Sequence, residues 1–167
     1  MVRSITEGTY NASSNSENKK IFDENLMVEQ RTTITDEEKE MRQQEMYIYR
    51  IVTEYIQALG IPPNIKGYGY VRQAIIDCLK HPDYMDSVVK VLYPSVAKKF
   101  KTMPSRVERA IRHGISSAWD RGWADPEFMK REFGSMFNVN YKVTNSEFIA
   151  AVVDRIHLRG IYFENIT

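Results

Sequence analysis

The sequence predicts an all-α protein, a compact bundle of about six helices containing a helix-turn-helix, behind a disordered N-terminal leader. Three observations carry this prediction. Apolar residues recur at helical spacing in several separate segments. Helix start and stop signals bracket those segments, with Ser/Thr-x-x-Glu capping boxes at Thr35–Glu38 and Thr144–Glu147. Only residues 137–143, Phe-Asn-Val-Asn-Tyr-Lys-Val, alternate as a strand would, and a lone strand has nothing to pair with.

The elements follow in order. Residues 1–34 are rich in Ser, Asn, Thr and Glu and bury too little to offset ordering entropy. Their one apolar patch, Ile21, Phe22, Leu26, Met27 and Val28, reads as a frayed turn or a short docking segment. The folded domain is expected over 35–163. Its first helix opens at the Thr35 box, carries Met41, Ile48, Val52, Tyr55, Ile56 and Leu59, and stops at Gly60 before Pro62 and Pro63. The first turns, 36–45, are almost wholly charged and should project into solvent, a coiled-coil seam being the alternative. A second helix is expected from about Gly67 to Lys80, and a third from about Tyr84 to Tyr93. The pair in 94–121 comes next, then a short helix from about Pro126 to Phe133. The last helix follows Thr144 and carries Phe148, Ile149, Val152, Val153 and Ile156.

Composition narrows the function. The 167 residues are 43% hydrophobic and 27% charged, and no apolar run approaches the ~20 residues that cross a bilayer. The single cysteine, Cys78, excludes an internal disulfide and suits a reducing cytoplasm, with no secretory signal ahead of it. Residues 1–46 hold six Lys/Arg against ten Asp/Glu, whereas 47–167 hold seventeen against twelve. An acidic leader thus precedes a basic body, a mild pointer to a polyanionic partner.

The segment with chemistry is YPSVAKKFKTMPSRVERAIRHGISSAWDRG, from Tyr93. Pro94 and Pro104 each suit the first turn of a helix. Two helices joined this tightly cross steeply and need a small residue at the contact. Ala97 meets that need, answered by Val107, Ala110, Ile111 and Ile115. Many such motifs have Gly in the turn, where this one has Lys101. With the apolar positions turned inward, Ser105, Arg106, Glu108, Arg109 and Arg112 form the outer stripe. An arginine can fork onto guanine O6 and N7, and a carboxylate can accept from cytosine N4, so Glu108 and Arg109 are the expected base readers. Lys98, Lys99, Lys101, Ser105, Arg106, Arg112 and His113 are the expected backbone or flanking contacts to double-stranded DNA. The competing reading is a solvated charged face with Glu108 and Arg112 as an i, i+4 pair.

These residues resemble a known family. Ile65–Tyr68, Lys90–Pro94, Ala97–Lys99, Ser105–His113, Ala118-Trp119, Phe133-Gly134 and Thr144–Ala150 are similar to blocks of the C-terminal effector domain of the stage-zero sporulation protein A family, the response regulators that start endospore formation in Firmicutes. The nine residues from Ser105 are the most specific block. The resemblance implies a six-helix domain that binds short G/C-containing promoter boxes, activates or represses transcription, and touches the RNA polymerase sigma factor when it activates. It implies base contacts by Glu108 and Arg109, flanking contacts by Arg106 and Arg112, and sigma-factor contacts at Phe133 and Asp154. The family's phosphoacceptor receiver has no counterpart in the leader, so the expectation is an effector domain free of phosphorylation control. That domain would be a monomer in solution that can bind adjacent boxes in tandem. His157 to Thr167 departs from the family pattern, so no contact is carried over there.

Other chemistries lack support. His81, His113, His157 and Cys78 lie too far apart for a zinc pattern. Gly67-Tyr-Gly69 follows no strand and lacks a third glycine, so it is a poor nucleotide loop. Trp119, Trp123 and Tyr70 read as core or rim aromatics. No catalytic grouping, cofactor or metal is expected. The remaining alternative is an interaction module or antagonist of sporulation regulators, acting through the leader and first helix with weak DNA binding.

Overall fold

The computed structural model describes residues 35–134 and 142–162. The leader, its apolar patch and most of the strand-like stretch 137–143 lie outside the described residues. Compact packing divides the chain between Arg42 and Gln43, within the first helix, and the core described below belongs to residues 43–167.

Six α-helices are found among the described residues: α1 (Asp36–Ala58), α2 (Lys66–Lys80), α3 (Tyr93–Lys99), α4 (Pro104–Asp120), α5 (Pro126–Phe133) and α6 (Asn145–Leu158). Both capping boxes form. The Glu38 amide donates to Thr35 Oγ1 at 3.2 Å while the Thr35 amide donates to Glu38, and Thr144 and Glu147 do the same. Asp125 caps α5 by accepting from the amides of Glu127 and Phe128. Among the described residues no helix is long and apolar enough to cross a membrane.

α2 is the central helix. Ten of its fifteen residues are buried, so it presents almost no solvent face and must be wrapped by neighbours. Val71, Ala74 and Ile75 join Val52, Tyr55 and Ile56 of α1, Val107 and Ile111 of α4, and Phe148, Ile149 and Val152 of α6 in one cluster. Cys78 lies in that core against Met85, and burial pushes its thiol up to about 12, which keeps it protonated and unreactive.

The expected third helix needs correction. Residues Pro82–Ser87 are 3₁₀ and Val88–Leu92 are a π-helix, which runs without a break into α3. Pro94 supplies the physical reason. Its ring crowds the carbonyl four residues back and it donates no hydrogen bond, so the turn before it widens. The Tyr93 amide accordingly reaches the Val88 carbonyl, five residues back.

A buried carboxylate ties α1, α5 and α6 together. Glu132 is 5% exposed; it accepts from the Tyr55 hydroxyl at 2.9 Å and from Arg131, and it pairs with Arg159. Burial alone would raise its carboxyl. The hydrogen bonds from Arg131 and Tyr55, with the charge of Arg159, outweigh burial and hold the carboxyl below its ordinary value. Tyr55 is pushed up to about 12 by burial and by Glu132. A depressed carboxylate stabilises the fold above its unfolded value of about 4.3 and loses that contribution as pH falls through the folded value. Wild type should therefore exceed Glu132→Gln in stability at pH 7, with a gap that narrows as urea titrations move below pH ~4. A gap constant with pH would contradict this account of the network.

Candidate nucleic-acid interface

α3 and α4 are joined by residues 100–103, and the joint is a complete Schellman cap. The Thr102 amide donates to the Ala97 carbonyl at 2.9 Å and the Lys101 amide to the Lys98 carbonyl at 3.3 Å. The same bond pair closes α1, α4 and α6, each with glycine in the left-handed position: Gly60, Gly122 and Gly160. At the α3 end that position is held by Lys101, with φ +51°. A side chain there costs about 1–2 kcal/mol relative to glycine, in the turn where the sequence had already departed from the usual glycine.

α4 separates its residues sharply by face. Val107, Ile111, Gly114, Ile115 and Ala118 are buried, whereas Ser105, Arg106, Arg109, Arg112 and His113 are exposed. Lys98, Lys99 and Lys101 are exposed at the end of α3 and in the turn. From Ser87 to Trp119 the chain has seven Lys/Arg and one acid, Glu108. A surface serving only to hold phosphate has no use for that acid.

Glu108 is partly exposed and pairs with Arg112 at 3.2 Å. The i, i+4 pair weighed from sequence thus forms in the unliganded protein. Both side chains are well exposed, 41% for Glu108 and 59% for Arg112, so the pair is worth only about 0.3–0.5 kcal/mol. A pair of that value is easily broken. Arg109 is exposed and enters no ion pair with a described residue, which leaves its guanidinium fork open.

Three attachments hold the helix pair. Ser95 of α3 donates to Asp77 of α2 at 3.1 Å, and Gln73 donates to the same carboxylate at 2.7 Å. α2 and α4 approach closely at Gly67, where an added Cβ would stand 2.1 Å from the Ala110 carbonyl oxygen. Asn145, 3% exposed in the first turn of α6, donates to the Glu108 carbonyl at 3.0 Å and to the Tyr93 hydroxyl at 3.1 Å.

A family model described as the sporulation initiation factor Spo0A C terminal matches residues 52–156. The chain belongs to this Spo0A C-terminal family. The match opens in α1, closes in α6 and includes every position of the α3–α4 stripe. The family is one of DNA-binding effector domains, so the basic face of α3 and α4 is the surface to weigh against DNA.

The two sigma-factor candidates fall in different environments. Asp154 is exposed on α6. Phe133 is 3% exposed and packs edge-on against Phe128. Among the aromatics, Tyr70 is buried against Phe100, and Trp119 packs edge-on to Phe148. Trp123 is 48% exposed beneath the Arg121 guanidinium. Sequence reasoning missed Asn145, hidden within a capping box, whereas Gly67 and Gly69 lie inside α2, as the helix expected from about Gly67 to Lys80 requires.

Lys101 permits a test in which two effects move in opposite directions. Lys101→Gly should raise stability by up to about 1 kcal/mol through relief of the left-handed strain. It should also lower the magnitude of the log K against log salt slope for DNA by about 0.9, one phosphate contact. Denaturant midpoints and salt-dependent titrations measure the two. A slope unchanged from wild type would remove Lys101 from the phosphate contacts.

Proposed function

We propose that the chain is a sequence-specific transcription regulator that binds short G/C-containing promoter boxes through α4, with no need for its own phosphorylation. The observation that carries this reading is the α4 outer stripe, one carboxylate set among arginines and exposed without any ligand. In this reading Glu108 and Arg109 read adjacent G·C pairs. Lys98, Lys99, Lys101, Ser105, Arg106, Arg112 and His113 engage the backbone and set the register. If bound protein activates, the exposed Asp154 side of α6 is the proposed contact for the sigma factor.

Hydroxyl-radical footprinting with purified, unphosphorylated protein tests the proposal. Protection of a G/C-containing box within a promoter fragment is expected, with flanking DNA cleaved as in free DNA. Uniform protection along the fragment, or protection only after phosphoryl transfer to the chain, would overturn it.

One observation favours the second reading, an interaction module with weak DNA binding. α1 exposes Met46 (66%), Tyr47 (44%) and Tyr49 (40%), residue types enriched at protein interfaces. Arg50 stacks on Tyr47 and Arg72 on Tyr49, and a groove of about 640 Å³ runs along this face. Under that reading Tyr47→Ala would abolish regulation while DNA binding stayed intact.

A further inference from the structure

The buried carboxamide of Asn145 belongs to no helix-capping scheme. Thr144 and Glu147 already cap α6 without it. Its amide nitrogen instead serves two acceptors outside its own helix, the Tyr93 hydroxyl at 3.1 Å and the Glu108 carbonyl at 3.0 Å. Tyr93 is the first residue of α3, and Glu108 lies one turn into α4. Three helices therefore meet at one nitrogen.

We propose that Asn145 is a positioning residue that fixes the depth and rotation of α4 at the point where it reads bases, with Tyr93 as its second anchor. This rests on the base-reading role given to Glu108 and Arg109. Base readout tolerates little error, since a bidentate arginine or an accepting carboxylate has to meet base edges at hydrogen-bond length. Phosphate contacts by long flexible lysines are far more forgiving. A short polar bond to the backbone of Glu108 bears hardest on the first kind of contact, while Lys98, Lys99 and Lys101 lie outside α4. The remaining packing restrains α4 from the other side, at Gly67 against Ala110 and Gly114 against Ile61 and Ile65. Those contacts set how closely α4 approaches and carry no hydrogen bond. A directional bond at Glu108 supplies what they lack.

Asn145→Asp keeps the shape and burial but loses both amide donors. The Tyr93 hydroxyl can turn and donate to the new carboxylate, whereas the Glu108 carbonyl is left facing an acceptor. Tyr93→Phe removes only the other anchor. The experiment measures affinity for a G/C-containing box and for a scrambled duplex at about 150 mM salt, with folding checked by circular dichroism. Asn145→Asp is expected to reduce the box-to-scramble ratio about tenfold, with most of the loss falling on the box. Tyr93→Phe should give a smaller loss in the same direction. A residue that only stabilised the fold would weaken both duplexes alike. A folded Asn145→Asp protein with the wild-type ratio overturns the proposal. If that variant fails to fold, Tyr93→Phe decides in its place, and a wild-type ratio there overturns it equally. A wild-type protein with no preference of its own would instead overturn the base-reading role beneath the proposal, and that failure appears before any variant is made.

Discussion

Gly67→Ala is expected to cost about 3 kcal/mol of folding stability, the upper end for an overpacked contact. The new Cβ would lie 2.1 Å from the Ala110 carbonyl oxygen and 2.9 Å from its carbon. Both are backbone atoms of α4, so no side chain can swing aside and the helices themselves have to part. Gly69, two residues along the same helix, is the control. A Cβ there would meet Phe100 at 3.6 Å, an ordinary contact, and alanine is a better helix former by up to about 1 kcal/mol. Gly69→Ala should therefore be neutral or stabilising. Urea midpoints for the two variants are expected to move in opposite directions. Equal shifts would mean that α2 and α4 do not cross where the structure places them.

Arg109→Ala is expected to remove about 1–3 kcal/mol of specific binding and to relax preference at one guanine. Arg109 lies on the exposed face beside the one acid of the stripe, and no described residue competes for its fork in an ion pair. Glu108→Ala should relax preference at a neighbouring cytosine and also release Arg112 from its pair. Titrating Arg109→Ala against boxes with one G·C pair exchanged at a time reads out which position has lost its penalty. If every single-pair exchange cost the variant what it costs wild type, Arg109 would not be a base reader.

Much of the fold was legible because its signals are local. Each capping box announced a helix start that forms as written, and Gly60 marked an end through the left-handed conformation that glycine favours. The short helix Pro126–Phe133 appears with the expected bounds. Failures came where apolar periodicity carries no information. In the expected helix over 84–93, the π turn at Val88–Leu92 follows from Pro94, which perturbs the residues just before it. Gly67 and Gly69 were placed correctly in a helix, but nothing in the local sequence says that another helix's backbone will press on Gly67. Asn145 was invisible as a hub because its partners lie 37 and 52 residues away. At the interface, the basic stripe could be read from the heptapeptide scale of α4, but what holds that stripe in place could not.

The central claim is that this chain reads sequence rather than charge alone. Fluorescence anisotropy on the full chain tests it most directly, with a labelled G/C-containing box against a scrambled duplex at about 150 mM salt. A preference of tenfold or more, worth about 1.4 kcal/mol, is the expected result. Equal and weak binding to both duplexes would contradict the claim and shift the function to the exposed Met and Tyr face of α1.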